Sequence, residues 1–133
     1  MVYDLLYGYS MSTSLTRNSF WILTALAQGR RHGYDIMREV ASLSDGGVVL
    51  KATSLYAALE RLAGEGLIVS DGEEIVDGRA RRYYRLTDEG GDALDEEVRA
   101  LEARAAIAKA RMNALRRLKA GPARSARARG ATA

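Results

Sequence analysis

The sequence predicts a mainly α-helical fold with one small β wing. Three observations point that way. Apolar residues recur at helical spacing in three successive segments between about Leu15 and Ala63. A strand-forming stretch folded about Asp77-Gly78 follows them. Beyond it, apolar residues step regularly by four and three from Leu94 to Leu115.

Residues 1–14 read as an N-terminal extension. A first helix is expected from about Leu15 to Gln28, capped by Asn18 or Ser19 and stopped by Gly29. Phe20, Leu23, Leu26 and Ala27 form its stripe, widened by Trp21, Ile22 and Ala25, which marks a buried central helix. A second helix spans about Gly33 to Leu43, with Ile36, Val40 and Leu43 on one face, until Asp45-Gly46-Gly47 breaks it. A third spans about Ser54 to Ala63, capped by Thr53, with Leu55, Leu59 and Leu62 inward. Its other side carries Ser54, Ala57, Ala58 and Arg61 and is small enough to approach another surface closely.

Two strand pieces, Leu67-Ile68-Val69 and Glu74-Ile75-Val76, lead into the Asp77-Gly78 turn, and Arg79 to Leu86 returns. Helix, helix, helix, hairpin is the order of a winged helix-turn-helix. The last helix opens at Thr87-Asp88-Glu89, with Thr87 as cap, and is expected to end near Leu118, before Gly121-Pro122. The fold class is therefore a winged helix-turn-helix over residues 15–86 and a long C-terminal dimerisation helix over 87–119. A basic tail, 120–133, is expected to be disordered.

Composition narrows the function. With 133 residues, 47% hydrophobic and 28% charged, the chain suits one globular domain and an appended helix. It has no cysteine, which excludes thiolate catalysis, disulfides and cysteine-bound zinc. Its one histidine, His32, lies beside a turn without a catalytic partner in sequence and reads as structural. No apolar run reaches the ~18 residues of a membrane span, and Met1-Val2-Tyr3-Asp4 lacks a basic signal region. A cytoplasmic non-enzyme without cofactor or metal is expected.

Charge is unevenly spread. Residues 1–102 hold 17 acids against 11 Lys and Arg, net −6, whereas residues 103–133 hold nine Lys and Arg and no acid. Within the wing, Arg79, Arg81, Arg82 and Arg85 interleave with Tyr83 and Tyr84. Arginine forks suit phosphate oxygens, so this hairpin is a candidate contact with double-stranded DNA. Alternation groups Arg79, Arg81, Tyr83 and Arg85 on one face. On the third helix, Ser54, Ala57, Ala58 and Arg61 are candidates for base edges, and Lys51 and Tyr56 for the backbone.

Leu94, Val98, Leu101, Ala105, Ala108, Met112 and Leu115 form a heptad seam over three repeats and are the candidate homodimer interface. The competing reading of the whole chain is a winged-helix adaptor that binds protein rather than specific DNA.

Several segments together resemble the PadR family of transcriptional regulators. They are His32-Gly33-Tyr34-Asp35-Ile36, then Ser54-Leu55-Tyr56 with Leu59, Arg61 and Leu62, then Glu65-Gly66-Leu67-Ile68, and the run from Arg81 through Gly90. The single C-terminal helix resembles the family's short-tailed branch. The resemblance implies a dimeric repressor on a palindromic operator, with Tyr34, Ser54, Tyr56 and Arg82 facing DNA. Strand alternation puts Arg82 opposite Arg81, so the two readings of the wing conflict. The resemblance also implies release by a small aromatic effector, in a pocket involving Trp21, Leu101, Ala105 and Met112. Two departures stand out. Thr53 and Ala57 occupy positions where the family often has Gly and Pro, and the last helix carries no aromatic residue.

Overall fold

The computed structural model describes residues 15–132, with side chains as far as Gly121. The expected extension, residues 1–14, lies outside the described residues. The elements are α1 (Arg17–Leu26), β1 (Arg31–His32), α2 (Gly33–Leu43), α3 (Ala52–Gly64), β2 (Ile68–Val76), β3 (Arg79–Leu86) and α4 (Asp88–Thr132). They fall into two units, one reaching Glu97 and the other beginning at Val98.

The first unit is the winged helix. Ile22, Leu23 and Leu26 of α1, Ile36 and Val40 of α2, and Leu55, Leu59 and Leu62 of α3 share one core with Ile68 of β2. Burying each such side chain contributes about 1.5–3 kcal/mol. Trp21 packs half-buried against this core, as does Leu94 at the start of α4. Leu43 is exposed, contrary to its place on the predicted stripe, because α2 ends there and its last turn extends past the core.

Several boundaries differ from expectation. Thr16, not Asn18 or Ser19, caps α1, its hydroxyl accepting from the Ser19 amide at 3.1 Å. Ser19 is buried and hydrogen-bonded to Arg61, so its hydroxyl is used elsewhere. The third helix begins before Thr53, with Lys51 at its N-cap and no side-chain cap. Thr87 does cap α4, accepting from the Gly90 amide at 3.0 Å. That helix passes the expected stop at Gly121-Pro122 and continues to Thr132. The Ala and Arg around the break are among the strongest helix formers.

The sheet has the order β1-β3-β2, all antiparallel. Glu74 faces Arg81 and Glu73 faces Arg82 across the hairpin. Rather than two pieces, β2 is one strand with an irregularity between Ser70 and Glu73, where Gly72 takes a positive φ of 92°. The predicted turn holds, with Asp77 and Gly78 at φ 52° and 76°. The two-residue β1 is an addition to the predicted elements. It pairs Arg31 with Tyr84 and His32 with Tyr83, and so ties the wing to the start of α2.

Candidate nucleic-acid interface

A groove of about 590 Å³ opens where β1, α2, α3 and the wing meet. Three local features build it. His32 ends β1 and caps α2, its Nδ1 accepting from the Asp35 amide at 3.3 Å. This cap fixes the first turn of α2, from which Tyr34 projects 60% exposed. Gly33 lies directly under the Tyr56 ring, and a Cβ there would stand 2.8 Å from the Tyr56 hydroxyl. Tyr56 of α3, 56% exposed, thereby closes over the start of α2. From the wing come Arg82, Tyr84 and Glu73, with Arg79, Ala80 and Arg81 completing the rim.

The strand faces resolve the conflict between Arg81 and Arg82. Tyr84 and Leu86 pack against the core, so the face they share with Arg82 is the inner one. Arg81 lies with Tyr83 on the outer face. There the Arg30 guanidinium stacks over the Tyr83 ring at 4.2 Å and donates to the Asp71 carbonyl at 2.7 Å. The His32 ring meets Tyr83 edge-on at 5.4 Å between centroids. Arg30 thus clamps the irregular part of β2 beside the strand that carries the wing cations.

The wing acids do not neutralise those cations by direct pairing. The Glu74 carboxylate instead accepts the Tyr83 hydroxyl at 2.8 Å. That hydrogen bond, together with desolvation and the Glu74 charge, raises the phenol above its ordinary pKa of 10.0 and keeps it protonated. Among the described residues, no ion pair within 4.0 Å holds Arg79, Arg81 or Arg82. Their guanidinium groups are available to a phosphate backbone.

The third helix presents Lys51, Ser54, Tyr56 and Ala57 to solvent. Two other candidates on it do not join them. Ala58 is 5% exposed and belongs to the core, so it does not present itself to a base edge. Arg61 turns toward α1, donating to the Ser19 hydroxyl at 2.6 Å and pairing with Glu65 at 3.5 Å. It lies at the far end of α3 from Ser54 and serves to pack α3 against α1. Sequence reasoning also missed Arg38, one turn after Tyr34 on α2, whose guanidinium lies 5.7 Å from the Tyr34 ring. The four-residue spacing was the available signal.

On the distal part of α4, Leu101, Ala105, Ala108, Met112 and Leu115 are exposed, while Val98 is half-buried. The residues named for an effector therefore divide between Trp21, packed on the core, and three exposed positions on this helix. Among the described residues no helix is long and apolar enough to cross a membrane, and no cluster of three His, Cys, Asp or Glu forms.

Comparison with known proteins follows the same outline. Residues 22–96 match the model of the transcriptional regulator PadR-like family. The chain is similar to transcriptional regulator Rv3488 of Mycobacterium tuberculosis, 44% identical over 81 residues, which is 61% of this chain and 72% of the relative. Its fold is similar to a PadR family transcription regulator from Clostridium difficile, with a TM-score of 0.59 and 28% identity over 69% of this chain and 94% of that one. It is also similar to Bacillus subtilis PadR, solved in complex with operator DNA. That match has a TM-score of 0.57 and 26% identity, over 64% of this chain and 48% of that one.

Proposed function

This chain belongs to the PadR-like family of transcriptional regulators, and on that premise we propose that it is a homodimeric repressor of a two-fold symmetric operator. Its third helix enters the major groove through Ser54 and Ala57. Tyr34, Tyr56, Lys51 and Arg82 hold the adjacent backbone, while Arg79 and Arg81 extend the wing along it. The observation that carries this reading is the shared groove of Tyr34, Tyr56 and Arg82, three exposed groups from separate elements, beside wing cations that no ion pair holds among the described residues. The DNA complex of the Bacillus subtilis relative supports it.

Pairing along Val98, Leu101, Ala105, Ala108, Met112 and Leu115 sets two heads on half-sites about 34 Å apart. Leu94 is partly used by its own core and contributes least. Bound there, the dimer blocks access to the promoter. A small aromatic effector would release it by favouring another arrangement of the two heads. Trp21 is the chain's one tryptophan, so quenching of its fluorescence by an aromatic panel tests that step.

The deciding experiment is footprinting on the DNA upstream of its own gene over a salt series. Two protected half-sites one helical turn apart are expected, with affinity falling steeply as salt rises. No retention of any such fragment at low salt would favour the protein-binding adaptor instead.

A further inference from the structure

Charge on α4 changes sign along its length. From Asp88 to Glu102 the helix carries seven acids against Arg99 alone. No acid follows Glu102, and residues 103–133 hold seven arginines and two lysines. Helix electrostatics account for little of this. The macrodipole favours cations in the last turn only, whereas the basic stretch opens at Arg104 on a helix that continues to Thr132. Solvated helices are steadied by acid–base pairs three or four residues apart. None can form beyond Ala106, because Glu102 is the last acid, and Arg116 and Lys119, three apart, instead repel. Lys109, Arg111, Arg116, Arg117 and Lys119 are exposed, and among the described residues no ion pair within 4.0 Å holds any of them.

We infer that the part of α4 beyond Leu115 is a second DNA-binding element, which holds the phosphate backbone of a duplex without regard to sequence. Five of its six cations are arginines, whose forks match phosphate oxygens. Alanine is the commonest of its other residues, and it offers nothing that reads a base edge. A membrane surface would instead require a broad apolar face opposite the cations. No Leu, Ile, Val, Met or aromatic residue follows Leu118, so this segment has no such face.

The rest of the chain explains what the element adds. Residues 1–102 are net negative, so at long range a duplex repels them, and their wing arginines act only on contact. The basic stretch turns the net charge of the whole chain to +3. A backbone hold of this kind keeps a regulator on DNA while it slides toward its site. It stands apart from the reading of the head, which concerns the operator alone.

The test compares the full chain with a variant in which Arg117, Lys119, Arg124, Arg127 and Arg129 are all glutamine, a change that keeps helix propensity and spares the seam. The probe is a labelled duplex of random sequence, followed by anisotropy over a salt series. At about 50 mM salt the variant should bind at least about tenfold more weakly, and its slope of log affinity against log salt should fall by about 2 or more. Lysine at the same five positions should restore both, since a point charge suffices to displace a counterion. The glutamine variant should still protect the half-sites that its head reads. An unchanged slope on the random duplex, or a lysine variant as weak as the glutamine one, overturns the inference. So does binding to vesicles of anionic lipid that the glutamines abolish while duplex affinity stays the same. Failure of the wild type to protect any operator would count against the head alone, because the random duplex contains none.

Discussion

At the scale of single residues, the proposed DNA contacts are of two kinds. Arg82 has no ion-pair partner among the described residues, and on the wing it is assigned to the phosphate backbone. Arg82→Ala should weaken binding to all sequences alike and lower the salt slope by about 0.9 for each phosphate it no longer neutralises. Ser54 lies at the start of α3, exposed. Ser54→Ala should alter preference at one base position by about 0.5–1.5 kcal/mol, the net worth of one neutral hydrogen bond. If neither change alters affinity in gel-shift titrations, the site assignment fails. Gly33 offers a subtler test, because a methyl there displaces the Tyr56 ring without entering the core. Gly33→Ala should weaken DNA binding while leaving the melting temperature nearly unchanged. Tyr83 titrates above 10.0 because Glu74 accepts its proton-bearing hydroxyl. A raised folded-state value means that this hydrogen bond stabilises fully below pH 10 and ceases to do so as pH rises through that value. Glu74→Gln should move the Tyr83 phenolate absorbance, obtained as the difference from Tyr83→Phe, back toward the ordinary range.

Elements whose burial has a clear period were legible from the sequence. The stripe Leu55, Leu59, Leu62 and the stripe centred on Ile36 and Val40 both point inward as expected. Leu43 does not, because a periodic pattern continues past the end of the surface it packs on. The hairpin was legible from Asp77-Gly78, since an αL-αL turn leaves a strong local signature. The two residues of β1 are too few to show any period, yet β1 joins His32 to Tyr83 and so positions the site. For Arg61 the sequence gives the helix face but not the hydrogen-bond partner, Ser19 of α1. Gly90 in the first turn of α4 abuts the Leu67 carbonyl and the Leu86 side chain. Its conservative replacement, Gly90→Ala, gains helix propensity but drives a methyl into the backbone. Overpacking of this kind costs about 1–3 kcal/mol, more than the ~1 kcal/mol gained from propensity. Denaturant unfolding should show net destabilisation; stabilisation would mean that α4 starts farther from Leu67.

At the scale of the whole molecule, the proposed homodimer couples DNA affinity to pairing. One head offers few cations, and residues 1–102 are net negative. A single half-site should therefore be held weakly, and tight binding should require two heads engaged at once. Linking two binding modules raises affinity by about 10²–10⁴ without any new contact. Leu101 and Met112 are exposed seam residues whose substitution leaves the core of the head untouched. A Leu101→Asp, Met112→Asp double variant should be monomeric by sedimentation and keep the thermal transition of its head. Its operator affinity should fall at least about a hundredfold. The salt dependence separates loss of pairing from damage to the head. A monomer displaces counterions from one half-site, so its slope of log affinity against log salt should be about half that of the wild type. An unchanged slope with lower affinity would place the interface elsewhere. Unchanged affinity would mean that each head reads its site alone.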